Sequence, residues 1–315
     1  MRILFTSDIH GSDRCWSKFL AAPKFYRADV IIVGGDITGK FVVPIIVQPD
    51  GTYRVSFMGE RHLRTRSELE DLTRHIADQG SYAYETTEEE YAWLAADQSR
   101  IDDLFKRLVV ERAQAWMWLA EERLAGSGVM CIVNTANDDF FELDGVLDGS
   151  PSIVWPEGRV VELPDGTEMI SVGYGNITPW NCPRDIPESE LGQRIQAVAS
   201  RVRDAETSIF NLHVPPYDSG LDLAPLLDER LAIVATASGD PQMVPVGSTA
   251  VREAIERYQP LASLHGHIHE SKGVRRLGRT TVANPGSQYQ EGILDGVLVD
   301  VDRRRHAIRA QLVSG

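Results

Sequence analysis

Pairs of polar side chains with metal-binding spacing follow short apolar runs near both ends of the chain. Asp8 and His10 follow one such run, and His267 and His269 follow another. Side chains two positions apart in an extended segment point to the same side, so each pair can converge on one point. The spacing therefore predicts two pairs of metal ligands, each at the end of a strand.

Three further apolar runs each deliver one candidate ligand. The first leads through two glycines to Asp36, the second leads to Asn137, and the third leads to His213. Glycine permits a sharp turn after a strand, and open α/β sheets place their ligands at the carboxyl ends of their strands. Any one of these residues alone is typical of a turn or a surface position, but five strands in register indicate a single site.

The order and spacing of these blocks resemble the calcineurin-like metallophosphoesterases. That family carries Asp-x-His, Gly-Asp, Gly-Asn-His-Asp/Glu, His and Gly-His-x-His blocks in this order. The resemblance covers residues 1–40 and 129–300. It extends to a branch of predicted bacterial and archaeal phosphoesterases through four stretches: His213 to Tyr217, Gly247 and Ser248, Gly266 to Ser271, and Asn284 to Ser287.

The resemblance implies an α/β fold, namely a metallophosphoesterase-type β-sandwich flanked by helices. It also implies two divalent metal ions, with Asp36 bridging them. One metal would be held by Asp8, His10, Asp36 and His269, and the other by Asp36, Asn137, His213 and His267. His265 matches no ligand position and is predicted to support a ligand or to lie at the rim of the site.

The residue types in this ligand set also indicate its chemistry, independently of the family resemblance. A carboxylate shared between two cations offsets their mutual repulsion, and imidazole, amide and carboxylate donors suit Mn, Fe, Zn or Ni better than Ca or Mg. We favour Mn. Two metals roughly 3.5–4 Å apart can clamp a phosphate group and lower the pKa of a water molecule to give hydroxide. The ligand set therefore predicts hydrolysis of phosphate esters by direct attack of water.

One position departs from the family pattern. Asp138 stands where the family has the histidine that contacts the phosphate and can protonate the leaving group. An ionised carboxylate there would repel an anionic substrate. Three interpretations remain open: Asp138 is kept protonated and acts as the acid, it binds or orients a metal-bound water, or it is an ordinary loop residue.

The departure at Asp138 favours phosphodiesters, because family members altered at this position are biased toward diesters. A small phosphate ester, such as a nucleotide, is the expected partner. A phosphomonoesterase is the alternative among enzymes. A catalytically weakened metal-binding interaction protein is the alternative from another class, although the full set of ligands argues against lost function.

The composition of the chain limits the classes of molecule that we expect it to bind and the compartment in which we expect it. The 315 residues are 43% hydrophobic, which is enough for one α/β domain over residues 1–315. The 32 Lys and Arg against 46 Asp and Glu give a net charge of −14, which argues against a long nucleic acid. Three cysteines form no motif and favour a reducing compartment. No apolar run approaches the ~18 residues of a membrane span, and no leader precedes the first strand, so we expect a cytoplasmic protein.

Residues 40–128 carry no family block and are predicted to be a hairpin-plus-helical insertion. The turn signal at 49–51 lies between two apolar runs and predicts the hairpin. Ser67 with Glu70 and Thr87 with Glu90 form capping-box patterns, which predict a short helix and a long one reaching about residue 125. An interruption at residues 98–99 is the alternative to one continuous helix.

The long helix has a single apolar stripe that must be covered. Packing against the short helix of the insertion and against the main sheet is the favoured interpretation. The alternatives are a cap over the metal cleft and an arm of a homodimer, with Trp116 and Trp118 as candidate anchors.

Overall fold

The strands form where aliphatic and β-branched residues run together, because such residues favour extended backbone and are stable when both faces of a strand are covered. The structure, a computed structural model, describes all 315 residues. Its strands are β1 (Arg2–Thr6), β2 (Val30–Val33), β3 (Phe41–Val47), β4 (Tyr53–Phe57), β5 (Glu60–Arg64), β6 (Ser81–Thr86), β7 (Met130–Val133), β8 (Val160–Glu162), β9 (Glu168–Val172), β10 (Gly175–Asn176), β11 (Asp185–Ile186), β12 (Ile209–Leu212), β13 (Leu223–Pro225), β14 (Met243–Pro245), β15 (Ala262–Leu264), β16 (Gly273–Leu277), β17 (Thr280–Asn284), β18 (Asp295–Asp302) and β19 (Ala307–Ser314). Its α-helices are α1 (Asp13–Tyr26), α2 (Arg66–Asp78), α3 (Glu88–Ala95), α4 (Gln98–Leu124), α5 (Glu142–Asp148), α6 (Glu188–Ala199) and α7 (Thr249–Tyr258).

Two sheets form a sandwich. The first sheet has the order β19-β18-β1-β2-β7, with β1, β2 and β7 parallel and β18 and β19 antiparallel at one edge. The second sheet has the order β16-β17-β15-β12-β9-β8, in which the four middle strands are parallel. Apolar side chains from both sheets, including Phe5, Ile32, Ile209 and Leu264, form one buried cluster.

Helices cover the outer faces of both sheets. The core cluster of the first sheet includes residues of α1, α4 and α5, and that of the second includes residues of α6 and α7. The structure therefore confirms the predicted α/β class and the predicted β-sandwich flanked by helices. None of these helices combines the length and the apolar character that crossing a bilayer requires.

The first half of the insertion contains more strands than its sequence pattern indicated. The predicted hairpin is β3 and β4, but these strands belong to a four-stranded sheet of order β5-β4-β3-β6. With α2, this sheet buries a small apolar core of its own. The capping box lies at Thr65 and Glu68, where Thr65 N donates to Glu68 Oε2 at 2.9 Å. The capping box predicted at Ser67 and Glu70 is therefore wrong by two residues.

The second half of the insertion is helical, and its helix is interrupted. Asp97 caps α4 by accepting from Ser99 N at 3.0 Å, so the prediction of one continuous helix is wrong. The alternative of a break is confirmed, but the break lies at residues 96–97 and not at 98–99. Trp116 of α4 is buried and stacks on Trp16 of α1, with ring centroids 4.9 Å apart. Trp116 is therefore a core residue and not a surface anchor, whereas Trp118 is 69% exposed.

Candidate metal centre

All seven predicted ligand side chains meet at the carboxyl ends of β1, β2, β7, β12 and β15. The ligand atoms of Asp8, His10 and His269 lie within 4.8 Å of one another, and so do those of a second group: Asp36, His213 and His267. Asn137 joins the second group, since its Oδ1 lies 3.0 Å from His267 Nδ1. The two groups form one cleft at the rim shared by both sheets.

Asp36 lies between the two groups. Its Oδ2 is 3.4 Å from His213 Nε2 in the second group and 3.9 Å from His10 Nε2 in the first. The same carboxylate also forms a third group with His10 and Asp138, again with ligand atoms within 4.8 Å. This placement suits a carboxylate shared by two cations.

The spacing of the ligand atoms fits divalent metal ions. Atoms bound at ~2.1 Å to one cation, at angles of about 90–109°, lie ~3.0–3.4 Å apart. His10 Nε2 and His269 Nε2 are 3.1 Å apart, within this range. His213 is fully buried and neither of its ring nitrogens has a hydrogen-bond partner. Such orphaned buried donors and acceptors are uncommon, and a metal bound at Nε2, the nitrogen that faces Asp8 and Asp36, would account for one of the two.

The electrostatics keep the carboxylates charged. Burial would raise the pKa of Asp36, but the neighbouring His213 holds it well below its usual value. Burial opposes protonation of His213, yet the carboxylates of Asp36 and Asp8 raise its pKa to about 9. Burial lowers the pKa of His267 to about 4. The carboxylates are therefore ionised and His267 is neutral, as metal binding requires, whereas a cation would have to displace a proton from His213.

Unusual backbone conformations turn the ligands inward. Asp8, Asp36 and His267 have φ angles of 57°, 52° and 66°, in the left-handed region that costs non-glycine residues of order 1 kcal/mol or more. Close packing holds this arrangement. A Cβ on Gly266 would lie 2.2 Å from Asp8 Oδ2, so only glycine lets His267 N donate to both oxygens of Asp8 at 3.0 Å.

Residues behind the ligands fix their loops. Asp185 accepts from Asn137 Nδ2 at 3.0 Å, which orients the amide so that its oxygen faces the cleft. His265 is fully buried, and its Nδ1 lies 2.7 Å from Leu212 O and 3.0 Å from Val214 O. His265 therefore holds the turn that carries His213, and the alternative of a position at the rim is wrong.

Asp139 joins the loop that carries Asp36 to the loop that carries Asn137 through hydrogen bonds. Its buried carboxylate accepts from Thr38 N and Ala136 N, both at 2.8 Å, and from Ile37 N at 3.2 Å. We expect Asp139→Ala to lower the free energy of unfolding by several kcal/mol, because each orphaned buried donor costs ~1–3 kcal/mol. Urea denaturation of the metal-free protein measures this loss. An unchanged midpoint would contradict the structural role.

Asp138 is not isolated. Its carboxylate forms an ion pair with Lys40 Nζ, lies 3.8 Å from His10 Nδ1, and accepts from Cys182 Sγ at 3.7 Å. Burial and the charge of Asp36 raise the pKa of Asp138, while Lys40 opposes this shift. Lys40 and Cys182 belong to no ligand block, so the sequence pattern did not indicate them. Only the position of Lys40, four residues after Asp36 in the same glycine-rich loop, could have indicated it.

Sequence comparison finds a distant relative of part of the chain. No family model matches the chain. An uncharacterized protein of Methanocaldococcus jannaschii, MJ1162, is 27% identical over 129 residues, which are 40% of this chain and 51% of that protein. The matched stretch thus spans about half the length of this curated relative.

Two solved structures align over the whole chain. One has 16% identity and a TM-score of 0.56, and covers 98% of both chains. The other, TT1561 of Thermus thermophilus, has 15% identity and a TM-score of 0.50, and covers 98% of this chain and 97% of its own. At this level of identity the likeness shows the fold. In the order and spacing of its ligand blocks, the chain resembles the calcineurin-like metallophosphoesterases.

Proposed function

We propose that this protein is a dinuclear-metal-dependent phosphohydrolase that acts on phosphodiesters. The observation that carries this proposal is the position of Asp36, whose carboxylate faces two groups of histidine and aspartate ligands in one cleft. Two cations at such a site supply a clamp for a phosphate group and a hydroxide nucleophile at neutral pH.

The residues of the chain have separate tasks in this reaction. Asp36 would contribute a ligand to both metals, and Asp8 and His213, which would each hold one of them, are buried beside it. Asn137 presents a neutral oxygen donor, which limits the negative charge that an anionic substrate meets. The net charge of −14 is compatible with a small phosphate ester, because bound metals dominate the local field.

The proposal is tested by stripping the purified protein with EDTA and reloading it with Mn²⁺. We expect the stripped protein to be inactive and the reloaded protein to hydrolyse bis(p-nitrophenyl) phosphate faster than p-nitrophenyl phosphate. Fe²⁺, Zn²⁺ and Ni²⁺ reloaded in parallel compare the metals, and a panel of cyclic nucleotides extends the test to natural diesters.

Other outcomes would change the assignment. Faster hydrolysis of the monoester would make the protein a phosphomonoesterase. Stoichiometric binding of two metals without hydrolysis of any ester would favour a metal-binding interaction protein. Activity that persists after EDTA, with no metal detected, would overturn the proposal.

A further inference from the structure

Lys40 and Asp138 form a charged pair beside the bridging carboxylate. Lys40 Nζ contacts Asp138 Oδ2, and the two side chains are 33% and 23% exposed. Asp138 N donates to Asp36 Oδ1 at 3.1 Å. The pair is therefore attached to the centre of the site while remaining open to a molecule that enters the cleft.

Gly80 and Tyr82, farther along the insertion, hold the backbone at Gly39 and Lys40. Gly39 N donates to Tyr82 Oη at 2.8 Å, and Lys40 N donates to Gly80 O at 3.3 Å. A Cβ on Gly39 would lie 2.3 Å from Gly80 O, so the two segments are in direct contact. The backbone at Lys40 is fixed in this way, and its ammonium is held by the ion pair with Asp138.

The two charges of the pair oppose each other. The ammonium of Lys40 attracts a phosphate group, whereas the carboxylate of Asp138 repels it. At neutral pH a phosphomonoester carries about −1.5 to −2 charges, while a phosphodiester carries about one. Any uncompensated charge at this position therefore acts about twice as strongly on a monoester as on a diester.

We propose that Lys40 and Asp138 select the charge of the substrate: Lys40 binds a non-bridging oxygen of the phosphate, and Asp138 cancels the surplus positive charge that would favour a dianion. This inference rests on the proposed function, and it gives that function a physical basis for preferring phosphodiesters. It also gives Asp138 a role as a counter-ion of Lys40.

The test is the ratio of kcat/KM for p-nitrophenyl phosphate to kcat/KM for bis(p-nitrophenyl) phosphate. This ratio does not depend on the fraction of active enzyme. We expect Asp138→Asn, which keeps the shape and leaves Lys40 uncompensated, to raise the ratio about tenfold. We expect Lys40→Met to lower it by a similar factor, because the uncompensated carboxylate repels the dianion more.

Matched controls use an ion pair remote from the cleft. Arg203 pairs with Glu162 at the edge of the second sheet where β9 begins, opposite the carboxyl ends that carry the ligands. Arg203→Met and Glu162→Gln make the same charge changes and should leave the ratio unchanged. The double variant Lys40→Met/Asp138→Asn removes both charges and should return the ratio toward that of the wild type.

The outcomes separate this inference from the proposed function. Wild-type protein that hydrolyses neither ester contradicts the function itself. Wild-type protein that hydrolyses esters, with a ratio that moves less than twofold in both single variants, overturns the inference and leaves the function standing. Loss of one metal equivalent in Asp138→Asn would show that Asp138 is a metal ligand and would also overturn the inference. Asp138→Asn keeps the shape of the side chain, so this variant alone tests the inference if Lys40→Met does not fold.

Discussion

Asp36→Asn is expected to lose both metal ions and to reduce hydrolysis to background. Asp36 faces both ligand groups, so neutralising it removes the charge that offsets the repulsion between two cations at one site. The substitution keeps the backbone, because asparagine tolerates the left-handed conformation that Asp36 adopts, with φ of 52°. Metal analysis of the purified variant, together with the diester assay, measures both effects.

Asn137→Ala is the matched control for this prediction. Asn137 contacts only the second group, through His267, so the alanine variant should weaken the second metal while retaining the first. Metal titration should therefore show one tight and one weakened site. Two full equivalents of metal in Asp36→Asn would contradict the bridging role, and simultaneous loss of both metals from Asn137→Ala would mean that the sites are not separable.

The ligand positions could be found from the sequence because their signals are local. A buried strand that ends in Asp, Asn or His can be recognised within a few residues, as at Asp36 and His213. Parallel strands bring such ends to one rim of a sheet. The sequence could therefore indicate which residues meet, although the distances between them depend on the whole fold.

The surroundings of the ligands could not be predicted, because they depend on contacts between distant segments. Lys40 reaches Asp138 across 98 positions of the chain, and Asp185 reaches Asn137 across 48. Strand β5 is largely exposed, so it lacks the alternation of apolar and polar residues that predicts a strand. No local pattern distinguishes these positions from ordinary loops and surfaces.

The packing partner of the long helix α4 could not be predicted either. Its apolar stripe predicted that one face is covered, but the covering surface could not be read from the helix alone. The structure places Val109, Ala113, Trp116 and Met117 in the core cluster of the first sheet. The predicted packing of this helix on the core of the main sheet therefore has structural support, whereas the short helix α2 belongs to a separate core. A role of α4 as a cap or a dimer arm remains a prediction.

Trp116→Ala is expected to lower the free energy of unfolding by about 3–5 kcal/mol, the usual cost of replacing a buried tryptophan. The indole stacks on Trp16, with an angle of 6° between the ring planes, and its Nε1 donates to Asp13 Oδ1 at 2.6 Å. Alanine would leave a cavity between α1 and α4. Urea denaturation of the metal-free protein, followed by tryptophan fluorescence and circular dichroism, measures the loss.

Trp118→Ala is the matched control, because Trp118 lies on the same helix but is 69% exposed. We expect its free energy of unfolding to change by no more than about 0.5 kcal/mol. Sedimentation of this variant tests whether the exposed face joins two copies of the chain.

If α4 belongs to the core, replacing residues 40–128 by a Gly/Ser linker should give a protein that fails to fold, since the apolar surface around Trp16 would be exposed. A folded, metal-binding protein from that replacement, or equal stability of the two tryptophan variants, would show instead that the insertion is detachable.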